Sequence, residues 1–135
     1  VADSARLAEE VGVAWWHAGM ILELAALSLE ADKVADAYEQ ARAGLELARQ
    51  LHDYGGRVLG VGVLACVAGV RGDTDRAGRL WGAIEDDHVR APLGHRAGCE
   101  ARLVASCGGA VLDAAIAAGR HLLLDDAVAL ALDKT

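Results

Sequence analysis

The sequence predicts an all-α fold of stacked helical hairpins closed by a short C-terminal helical cap. Three observations predict it. Hydrophobic residues are 54% of the chain and proline occurs once; the abundant Ala and Leu favour helix, and a nearly proline-free chain leaves long helices unbroken. Strongly apolar blocks alternate with amphipathic ones. One offset of 40 residues then superposes the first apolar–amphipathic pair on the second, the mark of a repeated hairpin. With 135 residues the chain suits one domain, 1–135, able to bury a real core. It begins at Val1 without Met and is expected to be a fragment of a larger protein.

Residues 3–10 form a short leading segment. Residues 11–29, "VGVAWWHAGMILELAALSL", have only His17, Glu23 and Ser28 as polar breaks, so this helix is expected to be covered on most sides. After "EADK", residues 34–50 place Ala37, Ala41, Leu45 and Ala48 on one stripe and charges elsewhere, an amphipathic helix. These two make the first hairpin, 11–50.

"LHDYGG" breaks the chain, and residues 57–71, "RVLGVGVLACVAGVR", form a second apolar helix. "GDTD" leads into a second amphipathic helix, residues 76–89, carrying Ala77, Leu80, Trp81 and Ile84. The second hairpin is therefore 57–90. In the common register Ile21 falls on Val61, Leu24-Ala25 on Leu64-Ala65, Lys33 on Asp73 and Ala37 on Ala77, with Gly44 against Ile84 as a weaker match.

Arg71-Gly72-Asp73 spells a cell-adhesion tripeptide. The same letters are also an ordinary helix turn: Gly72 closes one helix, Asp73 or Thr74 caps the next, and Asp75 suits the positive end of that helix's dipole. The turn is the reading adopted. Gly55, Gly56, Gly94, Gly108 and Gly109 are likewise placed at helix ends. Gly60 and Gly62 lie inside an apolar helix, where each costs up to about 1 kcal/mol relative to Ala, so a close approach is expected there, by another backbone in the reading preferred or by a ligand in the alternative.

After Pro92 the rhythm changes. Residues 96–106, 110–121 and 122–134 offer three short helices that do not continue the hairpins, and 96–133 is assigned as the cap. Asp125 and Asp126 sit where a first helical turn favours carboxylates.

These residues also carry a resemblance. "GDTDRAGRLWGAIE", "APLGHR" and "LDAAIAAGRHLLLDDAVALAL" resemble the C-terminal, tetratricopeptide-like region of large bacterial ATP-dependent transcriptional regulators. Members of that family join an NTPase module to helical repeats, some with an N-terminal cyclase domain and others with a C-terminal LuxR-type helix-turn-helix. The matching positions are Gly72, Asp73, Arg76, Ala77, residues 79–83, residues 91–93, Gly119, Arg120, Leu122 and residues 127–132. Leu123 departs from the family's Ser or Thr, which removes a helix cap, and the linker after residues 91–93 lacks the usual second Pro and acidic run. The resemblance implies tetratricopeptide-like hairpins and a regulatory place in a larger protein. The chain contains no GxxxxGK[ST] loop.

Composition narrows the function further. The formal net charge is −7, with 13 basic residues scattered, against a nucleic-acid surface. Cys66, Cys99 and Cys107 are odd in number without CxxC spacing, which favours reduced thiols and a cytoplasmic location. The longest apolar run, residues 58–70, falls short of the roughly 20 residues a bilayer needs, so no membrane is expected.

Trp15-Trp16-His17 could clamp a small molecule, although packing between hairpins is the reading preferred, and Trp81 is read as core. His95, Cys99 and Cys107 share helical spacing, yet the extra ligands a zinc site would need (Glu100, His88 or His121) have no characteristic spacing. Residues 85–88, "EDDH", read as a solvated helix end rather than an acid–base set. No catalytic residue, cofactor or metal is assigned.

The collective signal is the apolar wall of the two first helices. Trp16, Met20, Leu22, Ala26, Leu29, Leu59, Gly62 and Cys66 are expected to form a partner or effector surface, six of them (Leu22 to Cys66) facing a concavity too apolar to stay bare. The C-terminal cap, a second copy or a protein partner would cover it. The function expected is a non-enzymatic interaction and regulatory domain. The alternative is a sensor holding a small-molecule effector between the first helices, near Trp16, Met20 and Gly60.

Overall fold

The computed structural model describes residues 2–89 and 95–133. Among them are seven helices: α1 (Ala2–Glu30), α2 (Val34–Gln50), α3 (Tyr54–Val70), α4 (Thr74–Ile84), α5 (Arg96–Cys107), α6 (Ala110–Gly119) and α7 (Leu124–Leu132). Among the described residues there is no strand, and a 3-10 turn, Glu85–Val89, follows α4. The chain is thus all-α. Pro92 and Gly94, with the rest of residues 90–94, lie outside the described residues, as do Val1, Lys134 and Thr135.

Several boundaries differ from expectation, among them the start of α4 at Thr74 and of α7 at Leu124. The leading segment and the first apolar helix are one continuous helix of 29 residues, because nothing between them breaks helix. α3 starts at Tyr54, so Gly55 and Gly56 sit in its first turn rather than closing α2. Gly56 is small for packing: a Cβ there would lie 3.0 Å from the Ala48 methyl. α4 stops at Ile84, and the acidic residues that follow tighten into the 3-10 turn.

Three successive links share one geometry. The residues Asp32 (φ 61), His52 (φ 54) and Gly72 (φ 87) are left-handed, and they recur every twentieth position. Around each, the following N–H reaches back to a carbonyl five residues earlier, from Lys33 to Ser28, from Asp53 to Ala48 and from Asp73 to Ala68. The left-handed residues themselves donate to Leu29, Arg49 and Gly69. This pairing is the Schellman helix stop. Gly72 adopts it without a Cβ penalty, and the Asp73 carboxylate then accepts from the Arg76 N–H at 3.2 Å, capping α4. The adhesion-like tripeptide is a helix turn.

The helix boundaries themselves repeat. α1 and α3 end at residues 30 and 70, and α2 and α4 begin at 34 and 74. Lys33 and Asp73, matched in the sequence register, have nearly the same backbone (φ −90, ψ 71 and φ −89, ψ 74). Each helix packs on the next, α1 on α2, α2 on α3 and α3 on α4. Leu22, Leu45, Val58, Val61, Leu80 and Ile84 are fully buried between them, and Trp81 is core.

The cap attaches by a different route. α5 crosses α3, α6 lies on α4, and α7 rests against α2, α3 and α4. α4 and α6 meet backbone to backbone: a Cβ on Gly82 would sit 2.1 Å from the Ile116 carbonyl oxygen, and one on Gly119 2.2 Å from that of Arg79. Gly78 similarly faces Ala115 and the Ile116 amide. The glycines at positions 78, 82 and 119 exist for this approach.

Candidate functional site

α2 has 17 residues against the 29 of α1. At about 1.5 Å per residue, roughly 18 Å of α1 overhangs its partner. Residues 3–13 are all exposed. The expectation of a helix covered on most sides is therefore corrected. Its inner stripe, Ala18, Leu22, Ala25, Ala26 and Leu29, is buried, whereas the opposite stripe, Trp16 (65% exposed), Met20 (55%), Leu24 (50%) and Leu27 (50%), faces solvent. That stripe follows i, i+4, i+8, i+11 spacing, one helix face. The shallow groove along it is lined by α1 residues alone, from Trp15 to Leu27.

The same face of α3 is occupied. In the 40-residue register Trp16, Met20, Leu24 and Leu27 correspond to Gly56, Gly60, Leu64 and Val67. Gly56 abuts Ala48 and Gly60 abuts Leu45, both on α2; Leu64 and Val67 share a cleft with Tyr38, also on α2. The α3 face that receives the preceding helix is thus the counterpart of the bare face of α1.

The residues assigned to one surface separate into two sets. Trp16 and Met20 lie exposed on the outer face of α1. Leu22, Ala26, Leu29, Gly62 and Cys66 are buried, and Leu59 is half-buried against the core. Leu22 fills the space left by Gly44 and Gly60: added Cβ atoms would come within 2.7 Å and 3.3 Å of it. Gly60 also touches Leu45, so this space is packed by side chains and Gly60 shares no opening with Trp16 or Met20. Close packing is what these small residues provide there.

Over Cys66 the cover is the cap itself. The Cys66 S–H donates to the Cys99 carbonyl at 3.5 Å, and Gly69 lies under Leu103 and Cys107. All three cysteines therefore line the α3–α5 interface, Cys66 and Cys99 buried and Cys107 half-buried. Hydrogen bonding between the two sulfur side chains, then burial, pushes the Cys66 thiol well up. The Cys99 thiol is lowered, first by its hydrogen bond with Cys66 and then, against burial, by the nearby His95 and Arg102 charges.

α5 is also tied to α1. His95 lies 2.6 Å from a carboxylate at each ring nitrogen, Glu30 at Nδ1 and Glu23 at Nε2. Carboxylates only accept, so both contacts are satisfied by the doubly protonated imidazolium. Glu23 foremost, then Glu30, hold the His95 pKa above its ordinary value against partial burial. Arg102 adds a 2.7 Å contact to Asp32. Glu85 and Asp87 are joints, while Asp86 between them is exposed: Arg120 donates to the Glu85 carboxylate at 3.0 and 3.2 Å, Arg96 to the Glu85 carbonyl at 2.9 Å, and the Tyr54 hydroxyl to Asp87. Among the described residues no group of three or more His, Cys, Asp or Glu is placed to hold a metal ion.

His95, Glu23 and Glu30 went unpaired in the sequence because more than sixty residues separate the partners. Leu24 and Leu27 were recoverable, since helical spacing from Trp16 and Met20 leads to them. Among the described residues, α1 alone is long and apolar enough, by length and composition, to cross a membrane, which counting unbroken apolar runs overlooks. Its inner face is nevertheless buried against α2 and α3. No family model matches the chain, and neither a curated protein nor a solved structure matches it at significance.

Proposed function

We propose that this chain is a non-enzymatic interaction and regulatory domain built from tetratricopeptide-like hairpins, whose docking face is the outer stripe of α1. The carrying observation is the register equivalence: Trp16, Met20, Leu24 and Leu27 occupy the positions through which α3 receives α2. Burying four such side chains contributes on the order of 1.5–3 kcal/mol each, enough to drive helix docking. Trp16 and Met20 are bulky where α3 has glycines, so the incoming helix presents small residues, Ala or Gly, at helical spacing. A protein partner supplies that helix, and in its absence a second copy of the chain does. The 40-residue recurrence of helix boundaries supports the repeat reading.

The matching positions between Gly72 and Leu132 support a place in a bacterial ATP-dependent transcriptional regulator. The acidic charge and scattered basic residues support a fragment that leaves nucleic acid to other domains. The inner face of α1, committed to α2 and α3, supports a cytoplasmic domain with no membrane contact.

Tryptophan emission tests the docking face, because Trp15 and Trp16 are exposed and Trp81 is buried. Titration with a helical peptide carrying an alanine stripe should shift emission to the blue. Unchanged emission up to millimolar peptide would count against the proposal. Quenching by a metabolite instead would favour the effector reading, for which the groove from Trp15 to Leu27 offers an opening at Trp16 and Met20 but not at Gly60.

A further inference from the structure

The α3–α5 interface holds a feature that docking on α1 leaves unused. Cys66 on α3 and Cys99 on α5 face each other in the core, with exposures of 0% and 4%. The Cys66 S–H donates to the Cys99 backbone oxygen at 3.5 Å, which places the Cys66 sulfur beside Cys99. Cys99 stands one helical turn from His95, whose two ring nitrogens each meet a carboxylate, and the Cys66 contact, then the His95 and Arg102 charges, lower its thiol against burial and the Glu30 carboxylate. A buried thiol surrounded by apolar groups is inert, whereas one near cationic side chains gains thiolate character. The two sulfurs are thus chemically unequal.

We propose that Cys66 and Cys99 form a reversible dithiol–disulfide site that locks α5 onto α3, with Cys99 the thiol that reacts first and Cys66 the one that resolves it. The oxidant class is a hydroperoxide, small enough to enter on a brief local opening of α5. The Cys99 thiolate attacks the terminal peroxide oxygen; an S–O bond forms, the O–O bond breaks, and an alkoxide or hydroxide leaves with a proton as alcohol or water. Cys66 sulfur then attacks Cys99 sulfur; the S–S bond forms, the S–O bond breaks, and hydroxide leaves with the Cys66 proton as water. Two thiols and one hydroperoxide give one disulfide, one alcohol or water, and one water. A small dithiol reductant reverses the change by exchange.

Cys107 is the internal control. It lies on the same face of α5, two turns from Cys99, against Gly69, and it is the most accessible of the three. Exposure alone would make it the first to oxidise; the arrangement of charges and donors makes it Cys99.

The test treats the whole chain with hydrogen peroxide, blocks free thiols, and maps peptides without reduction. The expected product is an intrachain Cys66–Cys99 cross-link, cleaved by dithiothreitol, with amide exchange across α5 slowed severalfold. Cys107→Ser should retain it. Cys66→Ala should trap Cys99 as a sulfenic acid that dimedone labels. Oxidation at Cys107 while Cys66 and Cys99 stay reduced, a cross-link between two chains, or a cross-link that forms equally fast when the dimedone-reactive residue is Cys66 would each overturn the assignment.

Discussion

Leu24 and Leu64 occupy the same register position forty residues apart, yet Leu24 is 50% exposed and Leu64 is 4% exposed. The difference is one of neighbours. Leu64 shares its cleft with Tyr38 of α2, Leu80 of α4 and Ala131 of α7, and nothing among the described residues takes the corresponding place beside Leu24. Equivalent positions of the 40-residue register are thus packed on α3 and left half-exposed on α1.

The α4–α6 crossing should be the most sensitive point of the cap. Gly82→Ala and Gly119→Ala each force a Cβ into a backbone carbonyl, at 2.1 Å and 2.2 Å, and overpacking against backbone costs about 2–3 kcal/mol or more. Gly12→Ala and Gly19→Ala meet nothing within 4 Å and should stabilise by about 0.5–1 kcal/mol through helix propensity. Chemical denaturation of the four variants checks both signs.

The repeated turn makes a second prediction. His52 is exposed and holds φ 54, a left-handed conformation that costs a residue with a Cβ about 1 kcal/mol. His52→Gly should recover part of that cost and raise the thermal midpoint. His52→Val should lower it, because β-branching worsens the clash.

Leu123 is the N-cap of α7, makes no side-chain cap bond and is 72% exposed. Leu123→Ser gives the orphan amides an acceptor without opening the core. It should stabilise by about 0.5–1 kcal/mol, read as a shift in denaturation midpoint at constant slope.

The His95 contacts make α5 pH-dependent with a definite sign. The folded pKa is raised above 6.5 by Glu23 and then Glu30. A raised cationic group contributes stability that is fully present below the unfolded pKa and is lost as pH rises through the folded one. The groups facing it are Glu23 and Glu30 on α1, with Cys99 one turn along its own helix. The destabilisation caused by Glu23→Gln should therefore be largest between about pH 5 and 6.5 and shrink above that range. A His95 ring-proton titration displaced upward from the variant's checks the cause independently.

The helices were legible because their signals are local. Alternating apolar and amphipathic blocks, the Gly72 stop and the Asp73 cap each need only neighbouring residues, and the 40-residue register needs only comparison along the chain. The tertiary destinations were not. Leu22 and Leu24 are both leucines in one apolar block, and only the helical phase relative to Gly44 and Gly60 decides that Leu22 is core and Leu24 is surface. Gly78 and Gly82 carry no local signal within an amphipathic helix, since their role lies in Ala115 and Ile116 of a later helix. His95 needed two carboxylates far away in sequence. Of the residues expected to form a partner or effector surface, Trp16 and Met20 are exposed, Leu59 is half-buried, and Leu22, Ala26, Leu29, Gly62 and Cys66 are buried between the helices and under the cap.

Sedimentation velocity across a wide concentration range tests the docking face of α1 most directly. The isolated chain should associate as concentration rises, and Met20→Glu combined with Leu24→Glu should return it to a monomer with an unchanged thermal midpoint, because both side chains are exposed in the single chain. A wild-type chain that stays monomeric at every concentration, or association that survives the two glutamates, would contradict a docking role for that face.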